Sequence, residues 1–302
     1  RGAALRHRPR DAPGARRAQR RQPRSVAAHP LVDGDLLYCV VGAADGVAMA
    51  FDKRTGGEVW RALSAREPGY CPPTMIEHGG RKQLLIWHAE SLNSLNPADG
   101  KVYWSVPLAP RSGMAIAAPR QLGPHLFVSG FGETGVLLKL DTSSPAAEEV
   151  WRGRVKTAVY SGTGTPFLED GTIYGCDITT GALMGVRLSD GERLWQTTDP
   201  TLGDVRRGRY GTAFLVKHKD RFFLFNEKGD LIRARLSPQG YEEIGRFHVL
   251  EPTNTVFGRE VVWSHPAFAE QSCFARNDKE IVCVSLAASP DSRKDEGNRD
   301  QE

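Results

Sequence analysis

Short runs in which apolar and polar residues alternate recur along the whole chain, and turn-forming residues separate them. Leu36 to Gly42, Val47 to Asp52 and Glu58 to Leu63 are three such runs, and the polar turn Asp33-Gly34-Asp35 precedes the first of them. This alternation, with turn signals at the ends of each run, predicts antiparallel strands joined by tight turns. No helix of convincing length is predicted.

Tryptophan recurs at a nearly constant interval in this pattern. Spacings of 44, 47 and 44 residues separate Trp60, Trp104, Trp151 and Trp195. The best copy of the repeated segment runs from Ala50 to Trp60, and the second from Ser94 to Trp104. The third copy has a two-residue insertion between Asp141 and Trp151, and the fourth has Arg187 at the acidic position.

A second sequence feature repeats at nearly the same interval as the tryptophans and indicates where each repeat unit begins. Small or polar residues lead into Pro30, Pro73, Pro119, Pro166, Ala213 and Pro266, at spacings of 43, 46, 47, 47 and 53 residues. Each unit then contains four predicted strands. Four antiparallel strands recurring about every 45 residues predict the blades of a β-propeller. A β-sandwich would not need tryptophan at a constant position, so we predict an all-β propeller with about six blades.

Positive charge is concentrated at the start of the chain, before the region that is predicted to fold. The net charge is +4, but nine arginines lie within residues 1–24, where Asp11 is the only acid. We predict a disordered basic tail over 1–25, the propeller over 26–288 and a disordered polar tail over 289–302. The basic excess belongs to the first tail, so no nucleic-acid partner is predicted. Neither a signal peptide nor a membrane span is visible in the sequence.

Five cysteines are present, without a C-x-x-C motif or an adjacent pair. They are Cys39, Cys71, Cys176, Cys273 and Cys283. Four of them lie in apolar strand-like runs, where cysteine acts as a small buried hydrophobe. Cys273 and Cys283 flank one hairpin turn and are the only plausible disulfide partners; their redox state stays open.

The segment from Ala50 to Trp60 matches the pattern Ala-x-Asp-x-x-Thr-Gly-x-x-x-Trp completely. It resembles the tryptophan-docking repeat of pyrroloquinoline quinone (PQQ) dehydrogenase propellers and of the wider family of PQQ-like repeat proteins. That family includes the periplasmic lipoprotein that assists assembly of outer-membrane barrels. The resemblance covers about residues 26–288, and the last unit is similar to planctomycete-type members. It implies a periplasmic or extracellular location.

The resemblance implies structural roles for the repeated residues. Asp52 and Thr55 shape a turn, Gly56 permits its backbone conformation, and Trp60, Trp104, Trp151 and Trp195 pack between neighbouring blades. The repeat itself builds blades and makes no cofactor site.

A PQQ dehydrogenase needs more than the repeat, and the sequence does not supply it. No adjacent cysteine pair is present, and neither a calcium-ligand set nor a catalytic base is identifiable. Asp177 could be offered as that base, but its position before Thr179-Thr180-Gly181 favours a turn-forming role. We therefore predict no PQQ, no calcium and no catalytic residue. Zinc-hydrolase and P-loop signatures are likewise missing.

A binding site is expected at the channel mouth, where the innermost strands begin. The candidates share a position just before the repeated small-Pro segment: Tyr70, Arg111, Tyr160, Arg209, Tyr210 and His265. We predict a non-catalytic, exported scaffold that binds a protein or an extracytoplasmic polymer there. The alternative is an enzyme, either related to the quinoprotein dehydrogenases or active on sugars. Ordinary strand-entry residues without a common ligand would show the same pattern.

The sixth unit ends after three predicted strands, with no Gly-x-x-x-Trp continuation after Leu286. Residues 1–24 contain three prolines and no alternating apolar positions, so they are unsuited to supply a fourth strand. We therefore expect an open or loosely closed ring with an unpaired edge beside Ile281 to Leu286, and at least one further blade upstream.

Overall fold

The computed structural model describes residues 28–43, 45–204 and 208–287, and the two predicted tails lie outside them. These residues form seven antiparallel sheets, and one 3-10 turn, Arg111–Gly113, is their only helical element. None of their helices could cross a membrane. The all-β propeller predicted from the repeat is confirmed.

The first three blades follow one another without interruption. Blade 1 contains β1 (Leu31–Asp33), β2 (Leu36–Ala43), β3 (Gly46–Asp52) and β4 (Glu58–Ala62). Blade 2 contains β5 (Thr74–His78), β6 (Arg81–Trp87), β7 (Ser91–Leu95) and β8 (Val102–Pro107). Blade 3 contains β9 (Arg120–Leu122), β10 (His125–Gly130), β11 (Thr134–Leu140) and β12 (Ala147–Arg152).

The second half adds two complete blades, one hairpin and one shorter blade. Blade 4 contains β13 (Phe167–Glu169), β14 (Thr172–Cys176), β15 (Leu183–Arg187) and β16 (Arg193–Thr197). Blade 5 contains β17 (Ala213–His218), β18 (Arg221–Asn226), β19 (Asp230–Ser237) and β20 (Gly240–His248). A hairpin follows, β21 (Asn254–Val256) and β22 (Arg259–Val261). Blade 6 has β23 (Ala267–Ala269), β24 (Ser272–Arg276) and β25 (Ile281–Ser285).

In the five complete blades the four strands pair in sequence order, each antiparallel to the next. This alternation places the turn between the second and third strands on the same face as the connection to the next blade. We call this face the loop face. The turns between the first and second strands, and between the third and fourth, lie on the opposite face. Every candidate site residue predicted from the sequence belongs to a connection on the loop face.

The core lies between consecutive blades. Leu84 and Ile86 of blade 2 pack with Tyr38 and Ala50 of blade 1 in one cluster of buried residues. Comparable clusters join each later pair of neighbouring blades. Because a single four-stranded sheet leaves both faces open, burial between blades is what stabilises each of them.

Three of the four repeated tryptophans bond across a blade boundary. The indole N–H donates to a carbonyl in the last turn of the next blade in three pairs: Trp60 to Pro97 (2.9 Å), Trp151 to Leu188 (2.8 Å) and Trp195 to Ser237 (2.8 Å). Gly100 and Gly191 lie directly against the rings of Trp60 and Trp151.

Trp104 packs against blade 3 but bonds differently. Its indole N–H donates to Oε1 of Gln83, in its own blade, at 2.9 Å. The last turn of blade 3 explains the difference, since the two-residue insertion replaces the glycine found in blades 2 and 4 with Ser143, Ser144 and Pro145. Both serines instead bond to Asp141.

Two features of the second half were not predicted from the sequence. The hairpin β21–β22 was missed, although it accounts for the longer spacing of 53 residues between Ala213 and Pro266. Cys273 and Cys283 are both free, and their strand register places them on opposite faces of blade 6, with Cys273 buried and Cys283 exposed. A disulfide between them would require a shift of register.

Candidate functional site

Three aromatic side chains from separate blade connections and turns meet on the loop face. The ring of Tyr210 stacks on that of Phe257 at 4.7 Å with an interplanar angle of 13°, and the ring of Phe131 lies 6.0 Å from that of Tyr210, tilted by 34°. We call Phe131, Tyr210 and Phe257 the aromatic row. Folding brings them together from the second turn of blade 3, the connection to blade 5 and the tip of hairpin β21–β22.

The row has an exposed end and a charged end. Phe257 is 68% exposed, whereas Phe131 and Tyr210 are half-buried and pack against Tyr160 and Ile178. At the far end, the guanidinium carbon of Arg111 lies 5.6 Å from the centroid of Phe131, within cation–π range. The row therefore offers a ligand apolar contact at its exposed end and hydrogen-bond donors at its charged end.

The two stacked members of the row, Tyr210 and Phe257, adopt an unfavourable backbone conformation. Tyr210 has φ of 64° and Phe257 has φ of 53°, in the left-handed region that bulky residues rarely occupy. Phe257 and Gly258 form the two-residue turn of the hairpin, with positive φ at both, where asparagine followed by glycine is the favoured pair. Strain of this kind is retained where surrounding structure enforces it, and it concentrates at functional sites.

An ion pair to a buried carboxylate fixes the hairpin that carries Phe257. Nε of Arg259 donates to Oε1 of Glu227 at 2.6 Å, and the indole N–H of Trp263 donates to Oε2 of the same carboxylate at 3.1 Å. Glu227 is 1% exposed and belongs to the second turn of blade 5. A second guanidinium nitrogen of Arg259 donates to the carbonyl of Arg209 at 2.8 Å. These bonds hold the hairpin, and with it Phe257, against the neighbouring connection.

The structure brings some of the predicted site residues together and separates others. Arg111 and Tyr210 belong to the aromatic row and its charged end, and the exposed Arg209 adjoins Tyr210. Tyr160 is buried beneath the row, where its hydroxyl donates to the carbonyl of Arg154 at 2.7 Å. Burial raises the pKa of Tyr160 to about 12. Tyr160 therefore supports the row from inside the fold.

The remaining two predicted residues lie away from the row. Tyr70 is half-buried in the connection to blade 2, and its backbone N–H donates to the carbonyl of Ala115 at 2.7 Å. His265 lies on the wall of a central cavity of about 850 Å³ between the innermost strands. Its ring is 3.8 Å from that of Phe214, and burial lowers its pKa.

Sequence reasoning missed Phe131 and Phe257. Both lie in turns and not before the repeated small-Pro segments, so the repeat could not mark them. The available signal for Phe257 was the segment Thr255-Val256-Phe257-Gly258-Arg259, in which glycine follows an aromatic between two strand-like runs.

Asp177 forms a turn, as its sequence position favours. Its Oδ1 accepts hydrogen bonds from the backbone N–H groups of Thr179 and Thr180 and from the Thr180 hydroxyl, all within 3.1 Å. Asp52 accepts the same three bonds from Arg54 and Thr55 in the last turn of blade 1. Because its Oδ1 already bonds within this turn, the geometry favours a structural role over that of a general base.

The residues present do not fit a calcium and PQQ site. Within the described part of the chain, no three His, Cys, Asp or Glu side chains come close enough to hold a metal ion. The lining of the central cavity contains neither Asp nor Glu. Carboxylate and carbonyl oxygens are what calcium requires, and this cavity offers it no carboxylate.

Comparisons with known proteins agree with the architecture. Residues 11–197 and 88–291 match the family model described as outer membrane protein assembly factor BamB. BamB from Moraxella catarrhalis is similar in structure, with a TM-score of 0.59 and 16% identity over 86% of this chain and 69% of that one. No curated protein sequence matches.

Two further solved structures share the fold alone. Quinohemoprotein alcohol dehydrogenase from Comamonas testosteroni has a TM-score of 0.53 and 14% identity, over 84% of this chain but 51% of the dehydrogenase. The computationally designed protein Ika8 has a TM-score of 0.52 and 10% identity, over 85% of this chain and 70% of the design. The repeats, the blade arrangement and a family match over most of the sequence lead to one assignment: the chain belongs to the family of the outer membrane protein assembly factor BamB.

Proposed function

We propose that this chain is a non-catalytic interaction scaffold that binds a protein partner through the aromatic row on its loop face. The observation that carries the proposal is the exposed, backbone-strained Phe257 stacked on Tyr210. Strained backbone conformations concentrate at functional sites, and binding of a partner would bury a ring that is 68% exposed in the free protein.

The composition of the row suits a protein interface. Aromatic residues and arginine are enriched at the energetic centres of interfaces, because they bury large area with few rotatable bonds. The stacked pair Tyr210 and Phe257 and the tilted contact of Phe131 with Tyr210 restrict these side chains before binding, which lowers the entropic cost of association. The Arg111 guanidinium supplies hydrogen-bond donors beside this apolar surface.

The family supports the kind of partner and its location. BamB is named as an assembly factor for outer membrane proteins, which makes its partners proteins. This relationship supports a location outside the cytoplasm, in the periplasm or at the cell exterior, and it favours a protein partner over another extracytoplasmic polymer.

Site-specific photo-crosslinking tests the proposal. A photoreactive phenylalanine analogue is placed at position 257, and a matched control carries it at Phe247, which is 56% exposed on the outermost strand of blade 5. Under illumination in the native cell, we expect a discrete protein adduct from position 257 and none from position 247. Equal crosslinking from both positions, or none from position 257, would contradict the proposal.

The enzymatic alternative rests on the fold shared with a quinohemoprotein dehydrogenase. Against it stand the missing metal-ligand cluster within the described residues and the free cysteines. Calorimetric titration with PQQ in the presence of Ca²⁺ separates the two functions. We expect no calcium-dependent binding; tight binding with dye-linked alcohol oxidation would favour the enzyme.

A further inference from the structure

The central cavity has an unusual charge composition. It has a volume of about 850 Å³, and residues from five of the six blades and their entry segments line it. Arg120 is the only lining residue with a permanent charge, and the polar groups around the cavity include His29, His265, Thr163 and Thr165. No carboxylate faces this cationic group from the lining.

Arg120 has no partner for its charge in the described residues. The structure gives its guanidinium neither an ion pair nor a side-chain hydrogen bond, although Arg61, Arg152, Arg187 and Arg246 each pair with a carboxylate. The side chain is exposed to the solvent in the cavity, and partial desolvation by the cavity walls lowers its pKa. Because the lining carries this positive charge and no carboxylate, the cavity has a positive potential that attracts an anion.

We infer that the central cavity is a binding site for a carboxylate, with Arg120 as the residue that recognises it. The planar guanidinium presents paired N–H donors that match the two oxygens of a carboxylate. The hydroxyls of Thr163 and Thr165 and the imidazoles of His29 and His265 line the same cavity and can hydrogen-bond the remainder of the ligand. The ligand is either a free organic acid or an acidic segment of a peptide.

This site is separate from the aromatic row. None of Arg111, Phe131, Tyr210 and Phe257 lines the cavity. The inference therefore goes beyond the proposed scaffold function, and either can fail without the other. A variant of Phe257 is expected to bind the anion as the unaltered chain does.

Calorimetric titration of the full chain at low ionic strength tests the inference. Citrate is the probe for a free acid, and a short glycine–glutamate peptide is the probe for an acidic segment, with its glycine–glutamine counterpart as the uncharged control. Three variants are compared: Arg120→Gln, Arg120→Lys and the control Arg81→Gln. Arg81 is an exposed arginine at the turn between β5 and β6, outside the cavity.

We expect citrate, the glutamate peptide, or both to bind, and Arg120→Gln to weaken that binding by about tenfold or more, the usual effect of losing a charge-assisted hydrogen bond. Arg120→Lys should retain part of the affinity, since it keeps the charge and loses the paired donors. Binding of citrate alone identifies a free acid as the source, and binding of the peptide identifies an acidic segment.

Two results would overturn the inference. One is the absence of binding by both acidic probes to the unaltered chain. The other is an equal loss of affinity in Arg120→Gln and Arg81→Gln, which would indicate only a general effect of net charge. Thermal unfolding of each variant shows that it is folded, and substitution of this exposed, unpaired side chain should leave Arg120→Gln about as stable as the unaltered chain.

Discussion

Phe257 shows how one residue can be unsuited to its backbone position and suited to a function. The first position of a two-residue hairpin turn with positive φ favours asparagine, which tolerates the left-handed region. A phenylalanine there loses stability and places a large ring at the tip of the hairpin, where it is 68% exposed.

Phe257→Asn should therefore stabilise the fold. Because asparagine accepts the observed φ of 53° more readily, we expect the free energy of unfolding to rise by a few tenths to about 1 kcal/mol. Loss of the stacking contact with Tyr210 opposes this gain. Chemical denaturation of the two proteins measures the difference, and a loss of more than about 1 kcal/mol would show that the ring has a structural role.

His248 gives the outer strands of blade 5 a predictable response to pH. Its Nδ1 lies 2.9 Å from Oδ1 of Asp230, and Arg246 lies 3.1 Å from the other oxygen of that carboxylate. The hydrogen bond with Asp230 raises the pKa of His248, and Glu251, 3.2 Å from Nε2, adds to the effect. Burial opposes ionisation of Asp230, but hydrogen bonds from His248, Asn226 and Arg246 outweigh it and lower its pKa.

The sign of the pH effect follows from the raised pKa of His248. Its contribution is fully present below the ordinary histidine pKa of about 6.5 and is lost as the pH rises through the higher pKa of the folded protein. We expect His248→Gln to destabilise the protein most near pH 5 to 6 and least above about pH 8, by less than about 1 kcal/mol since the side chain is 47% exposed. Denaturation at several pH values measures this, and a difference that grows with pH would contradict it.

At the scale of elements, the blades are held in order by tryptophan, glycine and a short turn. Gly100 and Gly56 occupy the same position in the last turns of blades 2 and 1, with φ of 73° and 72°. A Cβ atom at Gly100 would lie 2.7 Å from the ring of Trp60, whereas one at Gly56 would meet no atom within 4 Å. The pair separates the contribution of tryptophan docking from that of backbone conformation.

Gly100→Ala should cost more stability than Gly56→Ala. Both variants introduce alanine at positive φ, which costs about 1 to 2 kcal/mol, but only the first also displaces Trp60. We expect the free energy of unfolding of Gly100→Ala to be lower than that of Gly56→Ala by at least about 1 kcal/mol. Thermal or chemical unfolding decides this, and equal losses would mean that the contact with Trp60 is dispensable.

The repeat made these elements predictable. Alternating residues and the regular tryptophans identified β2, β3 and β4 of blade 1 to within two residues, because each blade repeats the same local pattern. The hairpin β21–β22 was missed because it occurs once and belongs to no repeat. Among the site residues, Arg111 and Tyr210 could be located by their position before a blade, but their contact with Phe131 depends on how distant connections fold over the loop face.

At the scale of the whole molecule, the described sheets do not close into a complete ring. Blade 6 has three strands, and within residues 28–287 no further strand pairs with β25. Ile281 on that strand is 75% exposed, and Val32 of blade 1 is 57% exposed. This arrangement agrees with the predicted unpaired edge beside Ile281 to Leu286, while the expected upstream blade falls outside the described residues.

The six blades bring two distinct surfaces to the loop face side of the molecule. The aromatic row is assembled from connections and turns of blades 3 to 6, and the cavity with Arg120 opens between the innermost strands. Neither surface contains a metal-ligand cluster among the residues that the structure describes. Our central proposal is that the aromatic row binds a protein partner.

The affinity of the crosslinked partner for matched variants tests that claim most directly. The protein captured at position 257 is purified and titrated against the unaltered chain, Phe257→Asn and the control Phe247→Asn. We predict that Phe257→Asn binds about tenfold or more weakly, as expected for a central interface aromatic, while Phe247→Asn binds as the unaltered chain does. Equal affinities for all three proteins would contradict the account.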